Sequence, residues 1–88
     1  MDKTLFDPHV KTNFHFAGEG GPVALELESV AGSPAAPRPF SLVFRGPRES
    51  FLPQRIYRVE HPALGSLEIF IVPIGLDASG YRYEAVFN

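Results

Sequence analysis

Gly65-Ser-Leu-Glu-Ile-Phe-Ile-Val-Pro-Ile74 decides the fold. Its apolar residues recur at every second position rather than every third or fourth, which is the period of a strand and not of a helix. Leu67, Ile69 and Ile71 fall on one face, and Glu68, Phe70 and Val72 on the other. Both faces therefore carry apolar side chains, whereas an antiparallel strand at the surface of a small domain usually has one dry and one wet side.

The neighbouring segments take their places from this strand. Residues 55–61 and 81–87 show the same alternation, and Pro62-Ala-Leu64 and Gly75-Leu-Asp-Ala-Ser-Gly80 supply the turns between them. The three segments read as an antiparallel meander. Pairing Arg58 with Glu68 opposes unlike charges and sets Tyr57 against Ile69 and Val59 against Leu67. Pairing Ile71 with Tyr83 sets Ile69 against Ala85 and Leu67 against Phe87, while a shift of one residue opposes aliphatics with charges. On the second face, Ile56 and Val86 then flank Phe70 and Val72. These four residues are the candidate interaction patch, and either the N-terminal part of the chain covers them or another chain does.

Outward from the meander, the period of two continues. Residues 9–16 place Val10, Thr12, Phe14 and Phe16 on one side, and residues 23–28 alternate Val23, Leu25 and Leu27 with Ala24, Glu26 and Glu28. The glycine-rich Ala17-Gly-Glu-Gly-Gly21 between them predicts a hairpin. Residues 4–8 hold at most one helical turn. Residues 31–39, with three prolines, read as a crossing loop, residues 40–45 as a third strand, and Phe51-Leu52-Pro53 as a plug at the core edge. The expectation is one all-β domain over residues 1–88: a small antiparallel β-sandwich or partly open barrel of about six strands, with a C-terminal three-stranded meander.

Composition narrows the function. Eighty-eight residues give room for one core, filled mainly by eight Phe and three Tyr with Leu, Ile and Val. The absence of cysteine removes disulfides, thiolate metal sites and a cysteine nucleophile together. A net charge of −2 gives no electrostatic footprint for nucleic acid, although Arg38, Arg45, Arg48, Arg55 and Arg58 lie near one another in sequence. No stretch approaches the ~18 apolar residues of a membrane-spanning helix, so no membrane insertion is expected. Met-Asp-Lys-Thr lacks the features of a signal peptide, so a cytoplasmic start is expected, with export as part of an assembly left open.

No catalytic constellation emerges. His9 and His15 lie on one expected strand face but about 20 Å apart at ~3.3 Å per residue, too far to share an ion. His61, just before Pro62, is expected to hold a turn by hydrogen bonding. Glu26 and Glu28 stand on a wet face, and Arg58 and Arg82 are near enough in sequence to neutralise Glu68 and Glu84. Asp77-Ala-Ser-Gly80 supplies too few oxygens for calcium and reads as a hairpin turn. No nucleophile elbow, P-loop or dinucleotide fingerprint is present. No enzyme activity, metal or cofactor is expected.

The runs Phe40-Ser-Leu-Val-Phe-Arg-Gly-Pro47, His61-Pro-Ala-Leu-Gly65 and Tyr83-Glu-Ala-Val-Phe-Asn88 resemble those of a family of short bacterial β-domains of unknown function, closely over the C-terminal half and loosely over the N-terminal hairpin. The resemblance carries over no catalytic residue. It implies a setting like that of small accessory proteins beside phage-tail-like collar and fibre proteins. Together these readings lead to a non-enzymatic protein–protein interaction or structural module, a self-associating subunit or an adaptor of a larger assembly, whose partner is itself or another protein. The alternative is a small-ligand-binding β-barrel, which requires an internal cavity of roughly 300 Å³ or more.

Overall fold

A computed structural model describes residues 3–32 and 39–88. A four-residue helix α1 (Lys3–Phe6) and a 3₁₀ turn (Asp7–His9) precede six strands: β1 (Asn13–Gly18), β2 (Gly21–Gly32), β3 (Phe40–Gly46), β4 (Arg55–His61), β5 (Gly65–Asp77) and β6 (Gly80–Phe87). All ladders are antiparallel, and the strands close in a ring in the order β1-β2-β3-β6-β5-β4. The ring is uneven. Its seam, between β1 and β4, consists of His15 opposite Glu60 and Phe16 opposite Val59.

The expected alternation produces the core. Phe14 and Phe16 of β1, Leu25 and Leu27 of β2, Leu42 and Phe44 of β3, Tyr57 and Val59 of β4, Ile69 and Ile71 of β5, and Tyr83 and Ala85 of β6 all point inward and are buried. Burial of each large side chain contributes about 1.5–3 kcal/mol. Phe14 and Phe16 meet Phe44 edge-on, at 5.4 and 5.2 Å between ring centres. At one end α1 inserts Phe6 against Phe14, Phe40 and Phe87. At the other, Leu52 is buried and its amide donates to the Tyr83 hydroxyl, 3.0 Å away. Leu52 is thus the plug expected of Phe51-Leu52-Pro53, while Phe51 itself is half-exposed.

The β4–β5 register is the expected one, with Arg58 opposite Glu68, Tyr57 opposite Ile69 and Val59 opposite Leu67. The β5–β6 register differs. Val72 pairs with Glu84 and Pro73 with Tyr83, two residues from the expected match of Ile71 with Tyr83. The physical reason is a bulge: the ladder shifts between Pro73 and Gly75, leaving Ile74 unpaired, and β5 runs on to Asp77. A slip of two residues leaves every side chain on its expected face. Gly80 begins β6 with φ +125°, and a Cβ there would collide with the Gly46 carbonyl, so the hairpin tip lies directly on the end of β3.

Two N-terminal expectations are corrected. β1 starts at Asn13 rather than His9, because Pro8 favours the 3₁₀ turn and Lys11 adopts a left-handed φ of 75° that interrupts an extended run. His9 therefore shares no strand face with His15. Of the crossing loop expected over residues 31–39, residues 33–38 lie outside the described residues, and Ala31 and Gly32 belong to β2.

Candidate functional site

The four patch residues lie on the outer face of the ring. Ile56 stands directly opposite Phe70 in the β4–β5 ladder. The β5–β6 ladder ends at the pair of Val72 with Glu84, and Val86 lies two residues beyond it on β6, where its ladder partner is Ser41 of β3. Ile56, Phe70 and Val86 are 64%, 46% and 55% exposed, and Val72 is half-buried. The N-terminal hairpin does not cover them. It joins the ring edge to edge, with β1 beside β4 and β2 beside β3, so it lies next to this face rather than over it.

Charges frame the patch. Arg58 bonds Glu60 on its own strand at 3.2 Å, and Ser66 Oγ donates to Glu60 at 2.8 Å. The expected neutralisation of Glu68 by Arg58 is therefore not made, although the two face each other across the ladder. Arg82 likewise passes over Glu84. Its guanidinium reaches across β3 and holds Glu28 through two hydrogen bonds of 2.8 and 3.0 Å. It also contacts the Asp77 carboxylate.

That arrangement dominates the opposite outer face. Arg45 and Arg82 are direct ladder partners, a like-charge pairing that destabilises a sheet unless it is compensated. Three carboxylates compensate it. Glu26 accepts from Arg45 at 2.6 Å, Glu28 lies between the two guanidinium groups, and Asp77 meets Arg82 from the hairpin tip. The Arg82 bonds hold the Glu28 carboxyl below its ordinary range. Hydrogen bonds from Ser79, and then Arg82, bring Asp77 to about 2. As expected, Asp77 to Gly80 is a tight hairpin turn, with Asp77 Oδ1 accepting from the Ser79 amide.

The histidines gather differently from the expectation based on spacing. His9 and His61 lie 4.7 Å apart between ring centres, and Phe14 packs 4.3 Å from His61. His61 does hold its turn: its Nδ1 accepts from the amides of Ala63 and Leu64. Burial lowers its pKa, aided by His9 and His15. Among the described residues, no group of three or more His, Asp or Glu side chains is placed to hold a metal ion, and no helix is long and apolar enough to cross a membrane.

Two further features were not singled out by the sequence reading. Ile74 and Leu76 are about half exposed on β5 beyond its bulge, near the Phe51–Tyr81 contact at 5.1 Å. The signal was present in the apolar residues around Gly75, but that segment reads as a turn. An open cleft of about 420 Å³ lies between the Gly18–Gly21 turn and residues 49–53, with Arg55 and Tyr57 at its wall.

A small all-β ring with an apolar outer patch is thus the class of protein that these features define. The chain belongs to the family described as a domain of unknown function, DUF6916, which it matches over residues 1–87. No curated protein and no solved structure matches it.

Proposed function

We propose that this domain is a non-enzymatic interaction module that docks a protein, in the first instance a second copy of itself, through Ile56, Phe70, Val72 and Val86. The observation that carries the reading is the side-by-side exposure of Ile56 and Phe70 on paired strands, with Val86 also exposed on β6. Scattered apolar residues on a surface are ordinary, but a contiguous group rimmed by charge marks a contact site. Glu60, Arg58 and Glu68 supply such a rim. A role as a repeating subunit or adaptor in a larger, phage-tail-like assembly is the finer form of this reading.

The test is the mass in solution by light scattering across a concentration series. The wild type is expected to exceed its monomer mass of 9.7 kDa as concentration rises, and Phe70→Glu is expected to remain monomeric. A wild type that is monomeric throughout, and that retains no protein in a pull-down from its source, overturns the proposal.

The alternative of a small-ligand-binding barrel requires an internal cavity, and Phe16, Phe44, Tyr57 and Tyr83 fill the ring interior. A different reading is a surface ligand site in the open cleft beside the Gly18–Gly21 turn. Ligand-induced chemical-shift changes confined to Arg55 and Tyr57 would favour it.

A further inference from the structure

His61, at the end of β4, is 6% exposed, and its contacts fix its protonation state. Nδ1 accepts from the Ala63 amide at 3.1 Å and the Leu64 amide at 3.4 Å. An imidazole nitrogen that accepts N–H groups carries a lone pair and no proton. Nε2 lies 3.0 Å from the Thr12 hydroxyl. That hydroxyl already donates to the His9 carbonyl, 2.6 Å away, so it can only accept from His61. His61 is therefore the neutral tautomer with its proton on Nε2. It ties the β4–β5 turn to Thr12 and, through Thr12, to His9.

A second proton has no place on this ring. It would sit on Nδ1 and point at two amide hydrogens, in a pocket walled by Phe14 and the edge of His9. His9 from the 3₁₀ turn and His15 from β1 both oppose a positive charge there. Lys11, on the segment leading into β1, is a further cation, and it is exposed. Glu60, the neighbouring carboxylate on β4, is exposed and engaged with Arg58 and Ser66, and among the described residues no carboxylate hydrogen-bonds the imidazole.

The N-terminal segment depends on this connection. Residues 10–12 run beside β2, with Lys11 N donating to Leu27 O at 2.7 Å and Leu27 N to Thr12 O at 3.0 Å. Ahead of them, α1 holds the fully buried Phe6 against Phe14, Phe40 and Phe87. We propose that His61 is an acid-released latch: a proton on Nδ1 breaks both turn hydrogen bonds, drives the ring away from Phe14 and frees residues 3–12, uncovering the aromatic end of the ring. Burial lowers the pKa of the latched imidazole below the ordinary 6.5, so the released form binds the proton more readily. The latch is fully shut above that pH and loosens as pH falls below it.

Nuclear magnetic resonance of the full chain between pH 7.5 and 5 tests this. Imidazole nitrogen shifts are expected to report the Nε2–H tautomer at pH 7.5. Amide protection, corrected for intrinsic exchange, is expected to fall at least tenfold by pH 5 at Lys11, Leu27, Ala63 and Leu64, while Leu42 and Tyr83 keep theirs. His61→Asn retains an oxygen acceptor near Nδ1 and cannot titrate, so its protection at these amides should not change with pH. His15→Gln should keep the response and move its midpoint upward. An Nδ1–H tautomer, unchanged protection in the wild type, a uniform loss across all strands or a response that survives in His61→Asn overturns the proposal. If His61→Asn does not fold, the tautomer and the protection pattern of the wild type decide it.

Discussion

The outer face of β2, β3 and β6 and the outer face of β4 and β5 begin from the same kind of alternating strand and end differently. On the first, two opposed arginines are answered by Glu26, Glu28 and Asp77, and every charge in that group finds its partner within the chain. On the second, Ile56 and Phe70 face each other across a ladder and water. A domain this small buries too little surface to leave such residues exposed without cost. The contrast separates a face finished by folding from one that folding leaves open.

The largest way to break the contrast is Phe70→Glu, which places a charge at the centre of the open face. It is expected to weaken self-association at least a hundredfold, about 2.7 kcal/mol. Ile56→Thr is a gentler version, expected to weaken association about tenfold, or about 1.4 kcal/mol. Folding stability measured by urea should change by less than ~0.5 kcal/mol for this exposed position. A large stability loss there would mean that the face is structural.

The finished face is examined from the other side by Glu28→Gln. It leaves Arg45 and Arg82 opposed with one fewer carboxylate, and the expected loss is about 1 kcal/mol after allowance for solvent screening. Most of that loss should vanish in 1 M salt, whereas association through Phe70 should not weaken. The smallest effect concerns Asp77. Its carboxyl, lowered to about 2 in the folded chain from an ordinary 3.8, contributes stability that is present above pH 3.8 and lost as pH falls toward 2. Asp77→Asn should flatten that part of an acid-unfolding profile.

The two faces also differed in how far they could be read from sequence. The open patch was legible because it needs only the period of two and one register, and the match of Arg58 with Glu68 fixed that register. The β5–β6 slip was not legible, since faces are indifferent to a shift of two residues and nothing marked Ile74 as the bulged residue. The charge network was illegible for a related reason. Arg82 and Glu28 meet across an intervening strand, so their contact depends on two ladders at once, while sequence proximity suggested Glu84. His9 and His61 required the β1–β4 seam, which joins strands about half the chain apart. Their meeting also required the turn at Lys11, where an apparently continuous strand in fact stops.

The seam has a consequence for how the chain reaches this state. The β1–β2 hairpin and the β4–β5–β6 meander form between near neighbours, but β1 and β4, like β3 and β6, must meet across about half of the sequence, and β1 and β4 gain only two ladder pairs when they do. Loop-closure entropy has to be met before such contacts return anything, so the ring shuts late and slowly. Until it shuts, Phe14 and Phe16 stand open to water. The last step of closure is thus the one that hides the inner wall of the ring.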